Sequence, residues 1–214
     1  MRLYFALLLS LITLHAQGQD TAVHKTSMYL QHPVYLRNTY TATIAVGFID
    51  YYRHDYTLPA AFKKGNTSGF SPFYAKIEYG IGDRVSLAAT FGYDAFVYNF
   101  SQVTPGNNGP VSRYKHNNTR ILSGGLTAYY HLGSVIHVAR LDPFIGIGAS
   151  INNIRYSAFP QGDSTLVKLE HTVTPVLKAG ARYYITDAFS VYGDVGFDKQ
   201  SIFSVGFSCR FFRK

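Results

Sequence analysis

The feature that constrains this chain most is an alternation of apolar with small or polar residues, in period two, that runs from about residue 39 to the end. In the last stretch Phe203, Val205, Phe207, Cys209 and Phe211 alternate with Ser204, Gly206, Ser208 and Arg210. Just before it, Phe189, Val191, Val195 and Phe197 alternate with Ser190, Tyr192, Asp194 and Gly196, and Asp198-Lys-Gln200 separates the two runs. Successive side chains of a strand point to opposite faces, whereas a helix would need apolar residues every three or four positions. These runs therefore predict two strands joined by a short polar turn, each with a greasy face and a small, polar one.

The same pattern recurs upstream. It predicts strands near 39–54, 71–81, 84–99, 119–132, 143–158 and 172–185, which with the closing pair make eight. The third is the clearest: Val85, Leu87, Ala89, Phe91, Tyr93, Ala95 and Val97 alternate with Ser86, Ala88, Thr90, Gly92, Asp94, Phe96 and Tyr98. In the fifth, Ile145, Ile147, Ala149 and Ile151 share one phase while Ile154, Tyr156 and Ala158 take the other, so a β-bulge is expected at Asn152-Asn153. Polar loops are expected around Lys63–Gly69, over Ser101–Asn118 and from Pro160 to near His171, with tight turns at Gly82-Asp83 and Thr186-Asp187-Ala188.

Alternation alone does not say which face meets water, because a soluble barrel turns its apolar face inward. Three features favour an apolar exterior. Most connections alternate long and short, the asymmetry of a membrane barrel's outer loops and inner turns. Most of the strands exceed the roughly nine to eleven residues a tilted strand needs to cross a bilayer. The polar faces are rich in Gly, Ser, Thr and Ala rather than Lys and Glu, and charged residues make up only 15% of the chain against 47% hydrophobic. In lipid no strand edge can stay unpaired, so the sheet must close. The fold expected is all-β: an eight-stranded antiparallel up-and-down transmembrane β-barrel, with a soluble exported barrel or sandwich as the alternative.

Residues 1–18, with Arg2, an apolar run and Ala16-Gln-Gly18, read as an export signal peptide, residues 19–38 as an N-terminal lead-in, and 39–214 as the barrel domain. The net charge of +8 comes from scattered lysines and arginines, which on an exported chain points to anionic lipid or polysaccharide rather than nucleic acid. The single cysteine, Cys209, is in phase with the apolar face and reads as a small hydrophobe.

With the Leu141-Asp-Pro-Phe-Ile-Gly-Ile-Gly148 strand start, the Gly180-Ala-Arg-Tyr-Tyr-Ile-Thr-Asp187 hairpin and the aromatic terminal strand, the chain resembles the OmpA-like and OmpX-like small outer-membrane barrels and the Bacteroidetes-type outer membrane beta-barrel domain proteins. The resemblance covers about 38–214. It implies a cell outer-membrane location and insertion by the barrel-assembly machinery, which reads a final aromatic strand.

The inward face is expected to carry Lys76, Glu78, Asp94, Lys178, Arg182, Asp194 and Arg210, with His131 near one end. Isolated charges in a narrow interior are costly, so these should form paired networks, Glu78 with Arg182 or Arg210, and Asp94 or Asp194 with Lys178. A closed plug is the reading, with a small ion pathway as its alternative. Outward aromatics should form girdles, Tyr79, Tyr130, Phe144, Tyr183, Phe189 and Phe211 at the short-turn end and Tyr52, Phe73 and Tyr156 at the other. Basic loop residues Lys63, Lys64, Arg113, Lys115 and Lys168 are candidates for anionic glycans or headgroups. His54, His116 and His171, with Ser101, Ser112 and Ser164, lack a nucleophile motif, so neither catalysis nor a metal or cofactor is expected. The function expected is a monomeric structural or surface-interaction barrel in contact with outer-membrane lipid and lipopolysaccharide. An OmpW-like channel for small hydrophobic molecules is the alternative, and a lipid A-modifying enzyme a more distant one.

Overall fold

A computed structural model describes residues 37–50, 62–106, 109–159 and 166–212, apart from positions 134, 137, 139 and 199. The expected signal peptide, most of the lead-in, Tyr52 and His54 lie outside the described residues. Eight strands, β1 (Thr39–Asp50), β2 (Phe62–Gly80), β3 (Val85–Gly106), β4 (Gly109–His131), β5 (Leu141–Phe159), β6 (Leu166–Tyr184), β7 (Phe189–Phe197) and β8 (Ser201–Phe212), follow one another around a closed antiparallel barrel. The last strand closes it on the first, from Thr39 opposite Phe212 to Asp50 opposite Ser201.

The polarity is that of a protein solvated by lipid. Every strand turns large apolar side chains outward, among them Ile44, Ile77, Leu87, Leu126, Ile147, Leu177, Val195 and Phe207, all exposed. Inside lie Lys76, Glu78, Asp94, Arg182, Asp194 and Arg210, all buried. In water the first set would form an apolar patch far beyond what a soluble monomer exposes, and the second would forfeit its hydration. The structure is an eight-stranded up-and-down transmembrane β-barrel.

The short-turn end is built from two like hairpins. Ile81 and Gly82 donate to the Val85 carbonyl, at 3.0 and 3.1 Å, and Ile185 and Thr186 donate to Phe189, at 2.9 and 3.1 Å. At the opposite end the wall is uneven: β4 runs for 23 residues and β7 for only 9. Much of what reads as loop in the sequence is paired strand. The expected 101–118 loop is a continuous ladder down to Gly106 opposite Gly109, and Lys63–Gly69 lies within β2. Polar composition misleads here because a ladder standing beyond the lipid has water on its outer face and gains nothing from apolar residues.

Three further expectations are corrected. β5 has no bulge: its register with β4 and β6 is unbroken through Asn152 and Asn153, and the irregularities fall in β2, at Lys64/Thr67 and Phe70/Phe73. Ile154 points inward, where it packs with Phe96 and Ile121. Tyr156 packs against that cluster and Phe144 is buried in the barrel, so neither belongs to an outer girdle. At the end of β1, Ile49 adopts φ 57°, a strained conformation for a β-branched residue, and this flips the pleat so that Ile49 faces out and Asp50 in.

Candidate functional site: the filled lumen

The inward phase of β2 to β6 brings Glu78, Ser86, His131, Asp142 and Arg182 to one level near the short turns. Arg182 and Asp142 are register partners, whereas Glu78 reaches them across the lumen. Arg182 donates to both Glu78 carboxylate oxygens (Nη1 to Oε1 at 3.2 Å, Nη2 to Oε2) and lies 3.5 Å from Asp142 Oδ2. His131 sits between the carboxylates, Nδ1 2.9 Å from Asp142 Oδ1 and Nε2 3.2 Å from Glu78 Oε1. Ser86 Oγ donates to Glu78 Oε1 at 2.8 Å, and Lys76 Nζ stands 3.7 Å from Glu78 Oε2. Two carboxylates thus face two fixed cations and an imidazole, which limits the desolvation cost of so many buried charges.

The next layer is aromatic. Phe144 stacks on Tyr192 (5.7 Å, 8°) and meets Tyr129 edge-on (5.3 Å, 88°). Lys76 Nζ lies 4.3 Å from the Tyr192 ring centre and 4.6 Å from that of Tyr129, and the Arg182 guanidinium is 5.1 Å from Phe144. Cations over ring faces are attracted by the quadrupole, more strongly when dry. Glycine makes room for the rings: a Cβ on Gly146 would come 2.5 Å from Tyr129 Cε1, and one on Gly180 2.8 Å from Phe144 Cζ. Gly146→Val is accordingly expected to cost about 1–3 kcal/mol by overpacking, read from equilibrium unfolding in detergent.

Higher up, Lys178 Nζ meets Asp194 Oδ1 at 3.4 Å and Asp198 Oδ2 at 2.8 Å. Asp198 also accepts from the Gln200 and Ser201 amides at 2.9 and 3.0 Å, which folds the β7–β8 turn over the lumen. Tyr192 Oη donates to Asp194, and Ser204 Oγ does so at 2.5 Å. Here lies a cavity of about 50 Å³, bordered by Thr127, Ser150, Val176, Lys178 and Gln200. It is large enough for about three or four waters. The Ser150 hydroxyl and the Gln200 amide on its wall have no protein partner. Phe96, Ile121 and Ile154 pack together on the long-hairpin side of it.

Of the residues predicted inside, Glu78, Arg182, Lys76 and His131 come together, as do Lys178 and Asp194. Arg210 donates to Tyr184 Oη with its guanidinium 4.1 Å from that ring, near the short-turn end, and buried Asp94 sits at the level of Ile121. Sequence reasoning missed Asp142, Asp198, Ser86 and the Phe144–Tyr192 stack. The signal for Asp142 was present, since it shares its phase with Gly146 and Gly148.

Ser86, His131 and Asp142 have the distances of a hydrolytic relay, 3.0 Å from Ser86 Oγ to His131 Nε2 and 2.9 Å from His131 Nδ1 to Asp142. All three are buried, away from the cavity wall, and the serine proton is directed at Glu78. His116 and His171 are exposed on the outer face and bonded to Asn99 and Asn153. Asn153 faces Leu122 on β4, and His116 lies six residues further along that strand, about 20 Å away at strand rise. Among the described residues no group of His, Cys, Asp or Glu is arranged to hold a metal ion. The backbone register sets Lys64 and Lys115 either side of Phe100, and Arg113 opposite Gln102, in one region of the β2–β4 wall; Lys168 is on β6 opposite Tyr156.

No family model and no curated protein matches the chain. Among solved structures it is similar to the N-terminal beta-barrel domain of Pseudomonas aeruginosa OprF, at 18% identity over 82% of this chain and 98% of that one, with a TM-score of 0.43. It is also similar to Ail, the attachment invasion locus protein of Yersinia pestis (11% identity, 82% and 100%, TM-score 0.46), and to the outer membrane protein OprG of Pseudomonas aeruginosa (10%, 83% and 97%, TM-score 0.45). What the chain shows of itself is a closed eight-stranded barrel with an apolar outer belt and buried charged side chains inside, the architecture of the small outer-membrane barrels.

Proposed function

We propose that the protein is a non-catalytic outer-membrane barrel that serves as a rigid, plugged platform for its tall outer hairpins, which contact anionic surface material. The observation that carries this reading is the set of charged and aromatic side chains buried on the inward face. An ion-pair layer, an aromatic layer, the Lys178–Asp194–Asp198 cluster and the Phe96–Ile121–Ile154 cluster succeed one another along the axis, with a cavity of about 50 Å³ among them. A barrel of eight strands leaves space that side chains can fill, and the bonded inward groups support that reading. A transporter of hydrophobic molecules would need an apolar tunnel open through the wall, whereas this cavity has Lys76, Lys178, Asp194 and Asp198 among its lining residues.

The first test is conductance. Protein inserted in a planar bilayer is expected to show no sustained current near neutral pH, and a steady open level would sink the plugged reading. Location is tested by washing membranes with carbonate, after which the full-length chain should stay with the outer-membrane fraction. For the hairpins, Lys63, Lys64, Arg113 and Lys115 replaced together by Gln should weaken binding to purified lipopolysaccharide at low salt at least tenfold, since each basic residue near an anionic surface contributes about 1 kcal/mol. Unchanged binding would remove these residues from the proposal.

A further inference from the structure

On the outer wall, toward the long-hairpin end, Arg120 of β4 and Arg155 of β5 are exposed and stand directly opposite each other, in a register row that also carries exposed Phe70 and Leu169. One step lower on the same face come Leu122 and Asn153, and below them Ile151, where the apolar belt begins. His171 of β6 faces Asn153, so its ring lies diagonal to Arg155. Among the described residues no aspartate or glutamate shares this outward face on β4, β5 or β6. Like charges directly opposite on adjacent strands repel and destabilise the pair. Among the described residues no acidic side chain on that face stands beside them, in contrast to the lumen, where every cation named above has an acidic or aromatic partner.

We propose that Arg120 and Arg155, with His171 beside them, form a binding site for the phosphate group of an anionic lipid headgroup in the outer leaflet. Two guanidiniums at adjacent positions present parallel forks that suit phosphate oxygens. The site is continuous with the belt through Leu122 and Ile151, so a lipid whose chains lie against those residues brings its headgroup to the arginines. This proposal rests on the reading of the chain as an outer-membrane barrel and extends it: the contacts are on the wall, at headgroup height, and involve none of the hairpin lysines.

The test compares wild type with R120Q/R155Q and R120K/R155K in nanodiscs of phosphatidylcholine, alone or doped with diphosphorylated lipid A. In phosphatidylcholine alone R120Q/R155Q should be as stable as wild type or more so, because the repulsion is gone. With lipid A the order should reverse. Wild type should gain in thermal midpoint and retain lipid A in native mass spectrometry about tenfold better than R120Q/R155Q, with R120K/R155K between them. Equal retention by wild type and R120Q/R155Q would overturn the proposal, as would equal retention of dephosphorylated lipid A. Millimolar inorganic phosphate should not reproduce the shift. If it did, the site would be one for a soluble anion, and the headgroup assignment would fall. Failure of wild type to insert into the discs at all would instead count against the membrane reading itself, and the proposal would fall with it.

Discussion

Removing the Arg182 guanidinium while leaving its partners in place should be among the most damaging single changes in the barrel. Arg182→Met is expected to cost about 3–5 kcal/mol, the range for breaking a buried ion pair by deleting one partner. Glu78 and Asp142 would then remain buried with only Lys76 and His131 to oppose them, and Phe144 would lose the cation over its face. The check is equilibrium unfolding by denaturant in detergent micelles, with folding followed by tryptophan-independent far-ultraviolet circular dichroism because the chain contains no Trp. A double-mutant cycle separates the pair from its surroundings. Glu78→Gln combined with Arg182→Met should cost less than the sum of the two single changes, with a coupling of about 1–3 kcal/mol. Additive losses would mean that the two side chains do not act as a unit, and the plug would have to be reconsidered.

The second large effect lies on the other face. Leu126 is 69% exposed midway up β4, between Tyr130 and Leu122. If the exterior faced water, Leu126→Arg would be a surface change of within about 0.5 kcal/mol. Facing the bilayer midplane, it should cost about 2–4 kcal/mol, and less when the arginine is moved toward either end of the belt. Folding into lipid vesicles measures this directly, and a position-independent, near-zero cost would reject the inside-out polarity. The comparison is sharp because Leu126 packs against little else on that face: its register neighbours Ala89 and Ala149 are small.

The sequence was most legible where a single strand decides the outcome. Period two placed the outward phase of β1, β2, β3, β7 and β8 correctly, because alternation depends only on local backbone geometry. It was less legible in β5. Ile154 and Phe144 are as apolar as any lipid-facing residue, yet both lie inside, where Phe144 joins an aromatic layer and Ile154 packs with Phe96 and Ile121. A phase change was inferred where the environment, not the backbone, had changed. Hairpin length was also hidden, because a ladder between Ser101 and Tyr114 in water needs no apolar face.

Composition, alternation and strand count are local or additive properties, so the amino-acid sequence by itself determined an all-β barrel with a greasy and a polar face, and the identity of most residues on each. Partnership across the lumen is a different kind of property. Glu78 and Arg182 are 104 positions apart and lie on strands separated by three others, so their contact depends on barrel closure and on the stagger summed over every intervening pair. A shift of one residue in any of those registers would turn one of them outward. Only the closed structure decided that Arg182 meets Glu78, that Asp198 meets Lys178, and that Arg120 and Arg155 face each other on the outer wall.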